Sequence, residues 1–411
     1  MRILFVTPYV PSRIRVRPFN LIKALSTRHE IALVSLVADS YERAMVRDIE
    51  KYCVSVDLVP LPKWSAYVRC LLALPTREPL RVAYYRSSAF AQRIQEVIRR
   101  ENIDVAHGEL IKVVPSLKAA LKGENIPILF DSVDCISWFL RQQMETTRHP
   151  LKKAFVYSEL LKMRRYERSV LADFDRVIIT SGLDRDRLKD LIGQSSAIEV
   201  VGNGVESDYF SPLPSFRETD SLVFCAKMDY FPNVQAILDF CKHILPLIWQ
   251  QRPRVRLAIV GNHPPKVVQA LAADSRISVT GYVPDLRLYL SRAAVALAPL
   301  KVSAGMQNKV LEALAMAAPT VTTPRCARAL GLEDGVHLLV AEESQAFAEA
   351  ILKLLRDPDY AGQLGRAGRQ FVVEHFSWAT AAATLERLYE TIAPASKSPA
   401  TAANLTRASR E

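Results

Sequence analysis

Residues 298–323 read APLKVSAGMQNKVLEALAMAAPTVTT. An apolar run ends near Leu300, and a loop with Gly305 follows. A helix around Lys309 to Ala317 then carries Lys309 and Glu312, and PTVTTP opens another strand. A strand, a helix and a strand in so short a span form the repeating unit of a parallel sheet.

The same rhythm extends in both directions. Upstream, strands are expected at MRILFVTP, HEIALVSLV, IDVAHGE, IPILFDSV, DRVIITS and AIEVVGN. PFNLIKALSTRHE reads as a helix with Phe19, Leu21, Ile22 and Leu25 on one face, and a second helix is expected over Phe155 to Ala172. Nearer the quoted stretch, SLVFCAKM, RVRLAIVGN, ISVTGYV, VALAPL and HLLVAE read as strands. Helices are expected from Asn233, from Pro265, over Ser344 to Leu355 and on to His375. Near-continuous apolar strands imply sheets covered on both faces. The expected fold is therefore α/β, with two doubly wound Rossmann-like domains facing across a cleft and ligands beyond the carboxyl ends of the strands. The expected boundaries are 1–212 for the first domain, 213–220 for a linker and 221–376 for the second. SPLPSFRETD, residues 211–220, has two prolines and no periodicity. The tail, 393–411, is small, polar and aperiodic and reads as disordered.

Composition narrows the function. At 411 residues, with 49% hydrophobic and 24% charged, the chain is an ordinary globular one of two or three domains. No apolar run reaches the roughly 18 residues of a spanning helix. The opening run Ile3 to Val6 is too short for a signal peptide, so a cytoplasmic protein is expected. Cys53, Cys70, Cys135, Cys225, Cys241 and Cys326 form no CxxC pair and read as reduced, buried thiols. The seven histidines lack HxxxH spacing, so no metal is expected. The net charge of +11 suits nucleic acid, an anionic membrane face or a phosphorylated small molecule, and equally a solvated basic surface. RRYER, Arg164 to Arg168, lacks interleaved stacking aromatics and reads as a solvated helix face, which ranks nucleic acid last. Neither GxGxxG after the first strand nor GxxxxGK[ST] is present, which disfavours a dinucleotide-dependent dehydrogenase and a P-loop nucleotidase.

The helix N-terminus after Gly305 offers free N–H groups to a phosphate. Lys309 adds a charge, and Glu312, one turn on, suits sugar or ribose hydroxyls. The plain alternative is a solvated ion pair. His107, Gly108 and Glu109 follow the strand IDVA, where a parallel strand ends and faces the cleft, and a lone histidine there is equally read as structural. Asp131 and Asp134 in DSVD would bind an acceptor or cap the next helix. Arg13, Arg15 and Arg17 alternate on the first turn and suit an anionic acceptor. Trp64 to Tyr85 reads either as a surface resting on an anionic membrane or as a helix and loop covering the core.

The quoted stretch resembles the retaining glycosyltransferases of GT-B fold, family 4, and the resemblance spans nearly the whole chain. VVGNGVESDYF (Val200 to Phe210), FCAKMDYFPN (Phe224 to Asn233), LAIVGN and ISVTGYVPDLRLYL follow in family order. FSWATAAATLERLY (Phe376 to Tyr389) resembles the closing helix that crosses back to the first domain, here expected over about 377–392. A narrower likeness joins LFDSVDCISW, RRYERSVLADFDRVIITS, AKMDYFPN and AGMQNKVLEALAMA to sugar transferases that accompany exosortase and PEP-CTERM exopolysaccharide systems.

The resemblance implies a sugar moved from a nucleotide-sugar to a glycan or lipid-linked acceptor, with no metal or cofactor and possible contact with the inner face of the membrane. It implies Glu312 on the ribose, His107 near the reacting sugar, and Lys227 with Lys309 on the diphosphate. Asn203, Gly204, Gly305 and Met306 would line the substrate, with Tyr282 near the base. Two departures stand out. The family's first glutamate falls at Ala304, where backbone amides around Ser303 to Met306 would substitute. The second cation of its basic pair falls at Asn233. These departures keep two alternatives open, a nucleotide-sugar epimerase of the same fold and a non-catalytic nucleotide- or glycan-binding relative.

Overall fold

The computed structural model describes residues 1–13, 15–193, 197–214, 216–301 and 306–393. The chain divides into two compact units, Met1–Gly202 together with the chain from Trp378 onward, and Asn203–Ser377.

In the first unit β1 (Arg2–Thr7), β2 (Glu30–Val37), β3 (Ser55–Pro60), β4 (Val105–Glu109), β5 (Ile128–Val133), β6 (Arg176–Ile179) and β7 (Ile198–Val200) form one sheet. Their order is β3-β2-β1-β4-β5-β6-β7, and every pairing is parallel. Alternate β1 residues feed two cores, which explains the unbroken apolar run. Ile3 and Phe5 pack with Phe19, Ile22, Leu385 and Tyr389, while Leu4 and Val6 pack with Val82, Phe90 and Ile94. The helix Trp378–Ile392 belongs to this unit, and Arg28 grips its Glu386 with two hydrogen bonds of 2.7 and 2.6 Å. β3 is absent from the expected strands. Asp57 interrupts its apolar run and Pro60 ends it, which an edge strand tolerates.

In the second unit β8 (Glu218–Cys225), β9 (Arg256–Val260), β10 (Ile277–Gly281), β11 (Ala293–Ala298), β12 (Thr320–Thr322) and β13 (Leu339–Val340) form a parallel sheet in the order β10-β9-β8-β11-β12-β13. Leu222, Phe224, Leu257, Ile259, Val295 and Leu297 meet Ile237, Phe240, Phe347 and Ile351 from the covering helices. Both sheets therefore have the doubly wound order. The strand order reverses between β1 and β4 in one unit and between β8 and β11 in the other, and such points bind ligands beyond the strand ends.

The boundary is a correction. The chain enters the second unit at Asn203, well before 212, and SPLPSFRETD is no free linker. Val205 N–H donates to Phe376 O at 2.9 Å, and Arg287 donates to Tyr209 O at 2.9 Å. Arg217 donates to the carbonyls of Leu290, Ala293, Met316 and Ala317, and β8 already begins at Glu218. Irregular backbone reads as a linker in sequence, yet side-chain donors satisfy the carbonyls that the segment meets. The tail 394–411 lies outside the described residues.

Candidate functional site

The second unit sets charged groups on both sides of its reversal point. After β8, Lys227 is exposed, with its ammonium 3.4 Å from Asp229 Oδ2. The following turn is held from beneath. Buried Asn233 donates from Nδ2 to Lys227 O at 2.8 Å. Ala226 N–H donates to Val260 O at 2.9 Å, and Met228 N–H donates to Asn262 O at 3.0 Å. Gly261 makes this stitching feasible, since a Cβ there would lie 1.7 Å from Ala226 O at a φ of +151°. Asn233, which stands where the family has a cation, thus supports the turn that carries Lys227.

After β11, the helix Asn308–Ala315 brings Lys309 and Glu312. They form no ion pair among the described residues, so the plain alternative does not hold. The Lys309 ammonium donates instead to Gln307 Oε1 at 2.9 Å, and burial pushes it down to about 8. Burial pushes the Glu312 carboxyl up to about 7, against the pull of the Lys309 charge. Burial, and to a lesser degree the Glu312 charge, raises the Cys225 thiol at the end of β8. Asn203 and Met306 are joined to this helix start. Asn203 N–H donates to Met306 Sδ at 3.1 Å, and its Nδ2 donates to Asn308 Oδ1 at 2.9 Å. Gly204 is buried beside them, and Tyr282 is exposed after β10. Gly305 and Ala304 lie outside the described residues. A flexible cation, a desolvated cation and a carboxyl poised near neutrality suit a diphosphate and its neighbouring hydroxyls.

In the first unit the candidate residues separate. Arg17 and Asp131 are buried together, Nε to Oδ2 at 2.7 Å, so this arginine is structural and not available to an acceptor. His107 is corrected in the same way. It is 1% exposed and stacks on Phe5 at 4.4 Å. Its Nδ1 shares a 2.6 Å hydrogen bond with the Tyr389 hydroxyl, and its Nε2 lies 3.7 Å from Asp131 Oδ2. Burial lowers its pKa, so the neutral ring ties β4 to the helix Trp378–Ile392. Enclosure by Phe5, Tyr389 and Asp131 favours the structural role over the substrate contact.

Arg13 is exposed. Arg15 lies 4.0 Å over the Tyr9 ring, and Tyr9 O–H donates to Glu109 Oε1 at 3.3 Å. Lys112, three residues past β4, stacks 4.7 Å from Tyr85 and 5.8 Å from Tyr9. Burial, with Arg81 and Arg15 nearby, brings Lys112 down to about 8. Burial and the Asp131 charge raise Glu109 to about 8, and its Oε2 is buried with no hydrogen-bond partner among the described residues. Sequence reading missed Tyr9, Tyr85 and Lys112. Only the strand order brings the loops after β1 and β4 together.

Asp134 does not cap the next helix. Glu167 does so from another helix, accepting from Ile136 N–H at 2.8 Å and Ser137 N–H at 3.2 Å. Glu167 sits in RRYER, so that segment is not wholly a solvated face. Burial and the Asp184 charge push Asp134 up to about 7. Among the described residues no group of three or more His, Cys, Asp or Glu is arranged to hold a metal ion.

Comparison with known proteins follows this geometry. The family model Glycosyltransferase Family 4 matches residues 16–209, and Glycosyl transferases group 1 matches residues 219–357. The GDP-mannose-dependent alpha-(1-6)-phosphatidylinositol monomannoside mannosyltransferase of Mycolicibacterium smegmatis is 27% identical over 255 residues, 56% of this chain and 66% of that protein. The crystal structure of Anabaena HepE in complex with UDP superposes with a TM-score of 0.67 at 13% identity, covering 95% of this chain and 100% of that one. Sucrose-phosphate synthase from Thermosynechococcus elongatus superposes with a TM-score of 0.71 at 15% identity, covering 95% and 99%. With a glycosyltransferase family model on each half and the same two-sheet architecture over nearly its whole length, the chain belongs to the glycosyltransferases of GT-B fold.

Proposed function

We propose that the protein moves a sugar from a nucleotide-sugar to a hydroxyl of an anionic, lipid-linked or glycan acceptor, with retention of anomeric configuration. The observation that carries this reading is the placement of Lys227 at the end of β8 and of Lys309 with Glu312 after β11, on either side of the reversal point. Lys227 and Lys309 hold the diphosphate and stabilise its growing charge as the bond to the sugar breaks. Glu312 accepts hydrogen bonds from the ribose hydroxyls. The acceptor oxygen bonds to the anomeric carbon on the face that the diphosphate leaves, and its proton passes to a leaving phosphate oxygen. The nucleoside diphosphate then departs.

Two likenesses support the substrate classes. The mycobacterial relative is named for GDP-mannose and a phosphatidylinositol mannoside, and the Anabaena neighbour holds UDP. On the acceptor side, Arg15 and Lys112 supply positive charge beside Tyr9 and Tyr85. The likeness to sugar transferases of exosortase and PEP-CTERM systems supports a product in bacterial exopolysaccharide, made at the cytoplasmic face.

Thermal shift against UDP, GDP, dTDP and their sugar conjugates tests the donor site. A nucleotide at 100 times its dissociation constant stabilises by about 2.7 kcal/mol. Selective stabilisation that is lost in Glu312→Ala supports the reading and names the base. Binding without turnover on any acceptor would favour a non-catalytic relative, and a sugar epimer formed without acceptor would favour an epimerase.

A further inference from the structure

Three helices of the first unit, Ile136–Thr146, Pro150–Val170 and Gly182–Ile192, wall a cavity of about 410 Å³. Small-molecule pockets run from roughly 300 to 1,000 Å³. None of its lining residues belongs to the second unit or to the loops after β1 and β4.

The wall carries two donors that the fold does not use. Trp138 Nε1 and Arg187 Nε are both buried, and neither has a hydrogen-bond partner among the described residues. Buried N–H groups of side chains are paired in the large majority of cases, since losing water without gaining an acceptor is costly. The two donors belong to one stack, with the Arg187 guanidinium 4.1 Å over the Trp138 ring. Stacking fixes the plane of the guanidinium and so the direction of its N–H groups. Arg164 also lines the cavity, as does Arg141, 5.3 Å from the Trp138 ring and shared with Glu145 at the surface. Against these three cations the described lining has one acid, the exposed Asp190. Leu160 and Leu191 supply an apolar wall.

We propose that this cavity binds a small organic anion, with a carboxylate or phosphate head on an apolar body, held by Arg187 and Trp138. An indole N–H and a guanidinium can only donate, so both call for an acceptor and neither suits a cation. The Nε–H and Nη–H of a guanidinium form a fork that matches the paired oxygens of a carboxylate or a phosphate. The excess of positive charge selects an ionised acceptor over a neutral one. The leucines select a ligand with a body, because a bare inorganic ion would leave the apolar wall unmet. The inference does not depend on the nature of the donor or the acceptor.

Indole N–H resonances of the full chain, labelled with ¹⁵N-tryptophan, test it. The chain has four tryptophans, and Trp138→Phe assigns the signal of interest by removing it. The probes are benzoate, phenyl phosphate, neutral benzamide and inorganic phosphate. Benzoate or phenyl phosphate should move the Trp138 signal saturably, and the tighter of the two names the head. Benzamide and inorganic phosphate should each bind at least about tenfold more weakly. Arg187→Met should weaken binding by at least about tenfold while nucleotide stabilisation of the chain stays as in the parent. Arg141 and Arg164 are exposed, so Arg141→Gln/Arg164→Gln should melt with the parent and still bind several-fold more weakly. Glu312→Ala should leave the Trp138 response unchanged, which separates this site from the nucleotide site. A Trp138 signal that no probe moves at about 10 mM overturns the proposal and leaves the two donors to water. Equal binding by Arg187→Met and parent overturns it, as does benzamide binding as tightly as benzoate. Inorganic phosphate binding as tightly as phenyl phosphate would show an adventitious ion only and also overturns it.

Discussion

Arg17 Nε donates to Asp131 Oδ2 at 2.7 Å, joining the first helix of the chain to the end of β5 in a site closed to solvent. Burial alone would raise the Asp131 carboxyl, but the Arg17 charge and the neighbouring His107 hold it below its ordinary value. The pair is part of a polar chain that continues through His107 to Tyr389. Removing one partner leaves a buried charge uncompensated. Arg17→Met should destabilise by about 3–5 kcal/mol. Urea unfolding of variant and parent measures this, and a loss under about 1 kcal/mol would contradict the structural role.

Glu109 gives a pH signature. A carboxyl near 8 in the folded chain and about 4.3 when unfolded holds its proton more tightly in the native state. Stability should therefore fall as pH rises from about 4 to about 8. Glu312, Glu167 and Asp134, each near 7, act in the same direction. Glu109→Gln should flatten the fall, gaining on the order of a few kcal/mol at pH 8 and almost nothing at pH 4. Unfolding curves across that range decide it.

Nucleotide affinity should strengthen as Glu312 ionises through about pH 7 and weaken again above about pH 8 as Lys309 loses its charge, which gives a rising and a falling limb, the rising one belonging to Glu312. Glu312→Gln should weaken binding by about 10- to 100-fold between the two limbs and abolish the rising one. Calorimetric titration at several pH values reads both effects. A rising limb that persists in the variant would assign it to another group.

Gly261 is a steric test of the turn that carries Lys227. Gly261→Ala places a methyl against Ala226 O in a backbone region that side chains rarely adopt. Destabilisation of about 1–3 kcal/mol is expected, together with weaker nucleotide binding. A variant as stable as the parent would show that the turn relaxes freely.

Lys112 separates acceptor from donor. Lys112→Met should lower kcat/KM for an anionic acceptor by about tenfold or more while leaving nucleotide affinity unchanged. An equal loss with a neutral acceptor would point to a packing role beside Tyr85 and Tyr9.

The central strands that sequence reading found are buried on both faces. Ile3 to Val6 or Leu222 to Cys225 are apolar without interruption because helices cover both sides of the sheet. β3 was not legible, since an edge strand admits Asp57 and Pro60. Lys309 and Glu312 were found because they lie within one turn of a single helix. The roles of His107 and Arg17 were not legible, as enclosure by Phe5, Tyr389 and Asp131 depends on partners more than a hundred residues away.

The sequence by itself determined the alternation of strand and helix, the doubly wound class, and the charged helix start after β11, because these follow from local spacing and one-dimensional patterning. Only the tertiary structure decided which loops share a reversal point and which arginine is a buried brace. It also decided that Asn233 supports the Lys227 turn and that the apolar face of Lys63–Ala73 points outward. Those outcomes depend on strand order and on which face of each element finds a partner, and a linear chain carries neither until it folds.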